Sequence, residues 1–324
     1  MILKNKKIFI TGGAGFLGSN LARRLIDKNE VSLFVKPNTD LWRIEDIKSH
    51  KNIKIIEGNL LDYELIKDSI LNIDYLYHFA WQTDLKKSME NPSDDLKNDI
   101  LGLVNILEIC KKYNPKIKII FASTVTVIGS TKNIPCNEDE RENPLSSYDI
   151  NKLMAEKYIK MYHEKYGIKS CILRLSNVFG EYQKIDNPNR GILNFMIGKA
   201  LRNEDLTIYG KGDFIRDYSY VQNYIDAFIL AAESEKTNGE IFVLGSGEGK
   251  TFLEVVEKIK KIVENLTNKK LVIKYLPFPK GYDEINKRNF IADYLKFNKT
   301  VNWKPKINFE EGLKKTIEFY IYRI

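Results

Sequence analysis

Close to its start the chain reads Lys7-Ile8-Phe9-Ile10-Thr11-Gly12-Gly13-Ala14-Gly15-Phe16-Leu17-Gly18. An apolar, β-prone run enters a glycine cluster, and a helical pattern follows over residues 17–28. This commits the chain to a strand, a tight turn and a helix that folds back on the strand. The spacing Gly12-x-x-Gly15-x-x-Gly18 allows a sharp turn, close helix–strand packing and an approach of bare backbone N–H groups to an anion. A helix N-terminus at such a turn suits a diphosphate. Gly12, Gly15, Phe16, Leu17 and Gly18 are the expected contacts. An ordinary strand-to-helix turn is the alternative, and the motif's place directly after an apolar strand argues against it.

The first half continues the same alternation. Strand-like runs fall at residues 8–11, 31–35, 53–57, 75–79, 117–123 and 170–175, with helical patterns at 17–28, 63–71, 94–113 and 146–166. Alternation of this kind implies right-handed crossovers and a parallel sheet covered on both faces. The expected fold is α/β: a Rossmann-like doubly wound parallel sheet with a smaller mixed α/β C-terminal lobe. We expect residues 1–180 to form the dinucleotide-binding domain and residues 181–324 the substrate lobe, with some later segments returning to the sheet. The later elements are expected at 191–201, 207–209, 221–233, 240–244, 251–264, 271–275 and 309–322.

Composition narrows the function classes. The 324 residues are 43% hydrophobic, enough for a sizeable core, yet no apolar run approaches the ~20 residues of a membrane span. The N-terminal stretch lacks the apolar region of a signal peptide. Three scattered cysteines, Cys110, Cys136 and Cys171, show neither metal-ligand nor disulfide spacing. A cytoplasmic protein without metal is expected. The formal charge of +8 arises from 51 Lys+Arg against 43 Asp+Glu. Acidic and basic residues interleave, so solvated helix faces explain it better than nucleic-acid binding.

Downstream, Tyr148 and Lys152 stand at i and i+4, on one helix face. A nearby ammonium brings a phenol, ordinarily near pKa ~10, closer to working pH. Thr124 ends the run Ile119-Ile120-Phe121-Ala122-Ser123-Thr124, at the edge where parallel sheets place their ligand crevice. Thr124, Tyr148 and Lys152 are the candidate catalytic residues. Ser123 is a candidate cofactor contact, although β-propensity alone would also place it here. The second strand ends in Lys36-Pro37-Asn38, without the acid that ordinarily meets a ribose 2′-hydroxyl. A cation there favours a 2′-phosphate, hence NADP over NAD, with Arg43 as a possible helper. Leu61 and Asp62 follow the third strand and could face the adenine; Asp62 could equally cap the next helix.

These pieces, with His78-Phe79-Ala80, Phe121 to Gly129, Arg174-Leu175-Ser176-Asn177-Val178-Phe179-Gly180 and Arg216-Asp217-Tyr218-Ser219-Tyr220-Val221, run almost the length of the chain. Together they resemble the extended short-chain dehydrogenase/reductases, specifically the nucleotide-sugar epimerase/dehydratase/reductase family. The resemblance implies that Thr124 and Tyr148 contact the sugar oxygen that is oxidised or reduced. It implies that Lys152 holds the nicotinamide ribose, Ala80 lines the cofactor cleft, and Asn177 and Arg216 hold the diphosphate of a nucleotide-diphosphate sugar. An ion pair with Asp217 is the plainer reading of Arg216. His78 reads as a core histidine. A homodimer through the helices at 94–113 and 146–166 is expected.

Three departures shape the expectation. Thr124 is followed by Val125-Thr126 where family dehydratases carry Asp-Glu, so a 4,6-dehydratase is disfavoured. Asp99 stands three residues before Gly102, where the family often has Asn. Gln222-Asn223 replaces an acidic pair after Val221. The expected activity is an NAD(P)-dependent reductase of a 4-keto nucleotide sugar, with Tyr148 as proton donor. The alternatives are a nucleotide-sugar 4-epimerase with tightly bound NAD and, from another class, a catalytically silent NAD(P)-sensing or RNA-associated protein.

Overall fold

The structure, a computed structural model, describes residues 3–279 and 288–323. Its strands are β1 (Lys7–Thr11), β2 (Glu30–Val35), β3 (Ile53–Glu57), β4 (Tyr75–His78), β5 (Lys118–Thr124), β6 (Lys169–Leu175), β7 (Asn177–Phe179), β8 (Leu206–Tyr209), β9 (Ile215–Tyr220), β10 (Glu240–Leu244), β11 (Gly249–Thr251) and β12 (Ile273–Leu276). The helices are α1 (Phe16–Leu25), α2 (Tyr63–Ile70), α3 (Leu85–Glu90), α4 (Pro92–Asp95), α5 (Gly102–Tyr113), α6 (Ser147–Tyr166), α7 (Ile192–Leu201), α8 (Val221–Glu233), α9 (Phe252–Thr267), α10 (Leu295–Val301) and α11 (Phe309–Ile321).

Seven strands form one parallel sheet in the order β10-β6-β5-β4-β1-β2-β3. Successive side chains of β1 alternate between its faces. Ile8 and Ile10 join one apolar layer with Leu33, Tyr77 and Phe228, whereas Phe9 joins the other with Phe34, Leu76, Ile119 and Phe121. Burial on both faces is why these strands read as continuous apolar runs. The order reverses between β1 and β4, which opens a crevice at their C-terminal ends.

The remaining strands form two small sheets, β11-β9-β7 and β12-β8. Strands β7, β9 and β11 carry no alternating apolar pattern that would predict them. In β9 the alternate residues Asp217 and Ser219 are buried and polar, each spent on hydrogen bonds: Asp217 accepts from Ser176, Ser246, Gly247 and Ala292, and Ser219 accepts from Asn223. Strand β10 lies beyond residue 180 and returns to the large sheet alongside β6.

The helix expected over 94–113 is three pieces: α4, a π-helical turn at Leu96–Leu101, and α5. Pro92 fixes its start. Gly102 lies against Leu60, where a Cβ would stand 2.8 Å from the leucine Cβ. The wider turn buries both Asp99 and Ile100. Among the described residues no helix is long and apolar enough to cross a membrane, and no cluster of potential metal ligands occurs. All three cysteines are buried and unpaired.

Candidate active site

The glycine turn supplies the first wall of the crevice. Gly12 has φ +67°, and a Cβ there would stand 2.8 Å from the Ala80 nitrogen, so β1 and the end of β4 pass closely. Gly15 donates its N–H to the Gly12 carbonyl at 2.8 Å and caps α1 without a side-chain acceptor. Phe16 and Leu17 occupy the first turn of α1, and a Cβ on Gly18 would strike the Gly12 carbonyl. The N–H groups of that first turn carry no capping side chain, the condition an anion requires.

At the end of β4, Thr11 Oγ1 accepts the N–H groups of Phe79 and Ala80, each at 3.1 Å, and lies 2.9 Å from His78 Nδ1. Thr11 has a single proton left to give, so it donates to Nδ1, and the ring proton resides on Nε2. Burial pushes the His78 imidazole down to about 3, and the nearby Lys152 charge adds to the effect. His78 is a neutral core residue and not a base.

Thr124 ends β5 and Tyr148 opens α6; a chain of hydroxyls and a carboxylate joins the two. Ser146 caps α6 by accepting the Asp149 N–H at 3.1 Å, and its own hydroxyl donates back to Asp149 at 2.7 Å. Asp149 also accepts from Thr126, whose Oγ1 is 3.0 Å from Thr124 Oγ1. A carboxylate only accepts, so the Thr126 proton is committed to Asp149. Thr124 is consequently the donor in the Thr124–Thr126 bond, and its proton remains available to a better acceptor.

Lys152 is buried one turn beyond Tyr148. Its Nζ donates to the Ala122 carbonyl at 2.7 Å and lies 3.9 Å from the Trp81 ring centroid, 4.5 Å from Phe121 and 6.0 Å from Tyr148. Burial pulls this amine below its ordinary range, and Asp99 and Glu156 pull it back up. Burial, then Asp149 and Asp99, raises the Tyr148 phenol well above its ordinary value, which corrects the expectation that the Lys152 ammonium brings it closer to working pH. Trp81 Nε1 is buried without a partner among the described residues.

Beneath these groups lies a buried ion cluster. Arg174 Nε reaches both Glu156 oxygens at 3.0 and 3.2 Å, and its Nη2 bonds Glu156 at 2.6 Å and Glu142 at 2.8 Å. Ser123 gives its hydroxyl to Glu156 as well, so that side chain is turned to α6. Asp62 caps α2 by accepting the Leu65 N–H at 3.1 Å, and Leu61 beside it is half-buried. Lys36 is exposed at the tip of β2. Arg43 does not join it. Its Nε donates to the Tyr182 carbonyl at 2.6 Å and its guanidinium stacks on Trp42, which corrects the expectation that it could assist a 2′-phosphate.

Asn177 on β7 pairs with Tyr218 on β9, two residues from Arg216, so backbone alternation sets Asn177 and Arg216 on one face of the small sheet. Arg216 Nη1 donates to the Ile215 carbonyl at 3.1 Å, and its guanidinium lies 5.2 Å from the Phe214 ring. Sequence reasoning named neither Asp149, Trp81, Glu156 nor Arg174 as supports of the site. The available signal was local: Ser146-x-x-Asp149 is a helix-capping pattern, and Trp81 directly follows Ala80.

The geometry has counterparts elsewhere. The profile of the GDP-mannose 4,6 dehydratase family matches residues 9–316. A putative UDP-glucose 4-epimerase of Methanocaldococcus jannaschii is 31% identical over 316 residues, covering 96% of this chain and 97% of that protein. The UDP-N-acetylglucosamine 4-epimerase of Methanobrevibacter ruminantium, solved with UDP-N-acetylmuramic acid, superposes with a TM-score of 0.90 at 30% identity, covering 99% of this chain and 100% of that one. The UDP-glucose 4-epimerase of Thermus thermophilus, solved with NAD, superposes with a TM-score of 0.85 at 27% identity, covering 98% and 100%. The glycine turn, the Thr124–Tyr148–Lys152 constellation and this full-length similarity together place the chain in the NAD-dependent nucleotide-sugar epimerase/dehydratase branch of the extended short-chain dehydrogenase/reductases.

Proposed function

We propose that the protein reduces a 4-keto nucleotide sugar with a nicotinamide dinucleotide, NADPH in preference to NADH. The observation that carries this reading is the end of β2, where exposed Lys36 stands in place of the acid that meets a ribose 2′-hydroxyl, as a 2′-phosphate and a dissociable reductant require. Tyr148 is placed to act as the proton donor to the carbonyl oxygen. The residues present fit a dinucleotide: the uncapped first turn of α1, the close Gly12–Ala80 approach and the exposed Lys36 beside an acid-free strand end.

In this reading Gly12, Gly15, Phe16, Leu17 and Gly18 hold the diphosphate of the cofactor. Leu61, Asp62, Ala80 and the Ser123 backbone line its cleft, and Lys36 meets the 2′-phosphate. The bound cofactor supplies the hydride for the sugar carbonyl carbon. Thr124 turns its proton from Thr126 to the carbonyl oxygen and polarises it. Tyr148 then gives that oxygen its proton, leaving the sugar hydroxyl. Lys152 stabilises the phenolate that remains. Asn177 and Arg216 hold the sugar-nucleotide diphosphate, for which a guanidinium is suited by its forked donors. Residues 1–180 with β10 carry the dinucleotide, and the rest of 181–324 carries the sugar nucleotide. Exposed Leu96, Leu101, Ile150 and Tyr166 on the helices of 92–113 and 147–166 support a dimer of two copies.

The test is consumption of NADPH, followed at its absorbance, on a set of 4-keto sugar nucleotides differing in base. Stoichiometric oxidation of NADPH with formation of the alcohol supports the reading. Protein that purifies with non-exchanging NAD, and interconverts C4 epimers without net cofactor turnover, defeats it. That outcome is the second reading, 4-epimerisation, which the similarity to the M. ruminantium 4-epimerase favours.

A further inference from the structure

We propose that the Trp81 indole N–H donates to the ribose that carries the nicotinamide, beside Lys152, and so fixes that end of the cofactor. The inference rests on the reading that a nicotinamide dinucleotide places this ribose at Lys152. It adds a donor that the Thr–Tyr–Lys constellation does not contain.

Trp81 follows Ala80 just beyond the C-terminal end of β4, and its backbone is held on both sides. The Ala80 N–H donates to Thr11 Oγ1 at 3.1 Å, and the Gln82 N–H donates to the Asp99 carboxylate at 3.2 and 3.3 Å. The ring is held as well. Phe121 meets it at 5.5 Å and His78 at 6.2 Å between centroids, both edge to face. Lys152 Nζ lies 3.9 Å from the centroid of the same ring. One side chain therefore confines the lysine nitrogen with its face and carries a hydrogen-bond donor at its edge.

That donor is buried and has no acceptor among the described residues. Buried N–H groups in folded proteins are nearly always paired, so an orphan of this kind needs an explanation. The acceptors nearby are occupied. The Ala122 carbonyl takes a Lys152 proton at 2.7 Å, and Glu156 takes the Arg174 guanidinium and the Ser123 hydroxyl. His78 Nε2 carries a proton of its own and offers no lone pair. As an ammonium Lys152 has three protons, of which the described residues take one. The corner thus gathers two lysine protons and one indole proton that no acceptor answers. A vicinal diol matches this set, because it presents two adjacent oxygens with lone pairs to spare and brings no charge into a buried place. The ribose of a nicotinamide nucleotide carries such a diol.

The experiment reads the indole proton itself, in the full chain. The sequence has three tryptophans, so nitrogen labelling of the indoles gives three N–H resonances, assigned from Trp81→Phe and Trp42→Phe. Saturation with NADP or NAD, whichever binds, should move the Trp81 resonance downfield, as a proton entering a hydrogen bond moves. The Trp303 resonance should stay in place, since that N–H already donates to the Asn223 carbonyl at 3.1 Å. The matching ADP-ribose, which keeps the nicotinamide-bearing ribose, should reproduce the shift. The matching adenosine phosphate (2′,5′-ADP or ADP), which lacks that ribose, should not. Trp81→Phe keeps a ring over Nζ and loses the donor. It should raise the Kd of the dinucleotide about 3–10-fold, the worth of one hydrogen bond, and leave that of the ribose-free fragment unchanged. A merely structural Trp81 would weaken both ligands alike. An unmoved Trp81 resonance at saturation, or a shift produced by the ribose-free fragment, overturns the proposal. If Trp81→Phe does not fold, the titrations of the wild-type chain still decide it, with Trp42→Phe and Trp303→Phe giving the assignment. If the shift is seen while no 4-keto sugar nucleotide is reduced, the Trp81 contact stands and only the reductase reading fails.

Discussion

Replacing Arg174 by Met tests the foundation on which the catalytic helix rests. The Arg174 side chain is 1% exposed and that of Glu156 0%. Met keeps most of the aliphatic volume but removes all four hydrogen bonds from the guanidinium to Glu156 and Glu142. Glu156 is then a carboxylate away from water, hydrogen-bonded only by the Ser123 hydroxyl, with the Lys152 amine one helical turn away. Removing one partner of a buried ion pair costs about 3–5 kcal/mol, because the stranded charge dominates over the lost attraction. Glu142 adds little, since it is partly exposed and keeps Lys157 at 2.8 Å. Urea unfolding at pH 7.5 should therefore place Arg174→Met about 3–5 kcal/mol below wild type with an unchanged denaturant slope. The double variant Glu156→Gln/Arg174→Met should recover most of the loss, because a neutral amide can still accept from Ser123. Glu156 sits one helical turn after Lys152, so the single variant should also weaken cofactor binding. A loss under about 1 kcal/mol, or a double variant no better than the single, would refute the reasoning.

Other perturbations follow from the same geometry. Folded His78 takes a proton only near pH 3, whereas unfolded it takes one near pH 6.5, so its contribution is complete above about 6.5 and falls by about 1.4 kcal/mol per pH unit between 6.5 and 3. His78→Gln should flatten the stability profile between pH 6.5 and 4 by this slope; urea midpoints parallel to wild type would contradict it. Lys36→Ala should raise the KM for NADPH by about 10–100-fold, the worth of one charge-assisted hydrogen bond, and leave that for NADH unchanged. Equal effects on both cofactors would remove Lys36 from the 2′-phosphate site. Gly12→Ala adds a Cβ at φ +67° that lies 2.8 Å from the Ala80 nitrogen. Fluorescence titration should show cofactor affinity reduced by at least about tenfold, and wild-type affinity would show that the turn is not the binding element.

The doubly wound sheet was legible because parallel strands buried on both faces are continuous apolar runs. Residues 53–57 and 63–71 were read almost to their ends, as were 221–233 and 240–244. The small sheet was not legible, since β9 buries Asp217 and Ser219 among partners from distant segments, and a polar strand of that kind has no period of its own. The break at 96–101 also escaped notice. An apolar spacing of 3.6 does not reveal one extra residue in a turn, and the contact of Gly102 with Leu60 that accompanies it is tertiary. At the site, Thr124, Tyr148 and Lys152 were visible as a pattern. Their supports were not, because Asp149, Glu156 and Arg174 look like ordinary surface charges until the fold encloses them. Arg43 shows the converse: a cation near the expected phosphate in sequence is bound elsewhere, by the Tyr182 carbonyl.

The central claim is that the Tyr148 phenol delivers the proton that accompanies hydride transfer to the sugar. Its most direct test is single-turnover oxidation of bound NADPH by a 4-keto sugar nucleotide in wild type and Tyr148→Phe, with cofactor affinity measured on the same preparations. A loss of roughly 10²–10⁴-fold in the chemical step at unchanged cofactor affinity is the expected result. Hydride transfer at the wild-type rate in the phenylalanine variant would contradict the account.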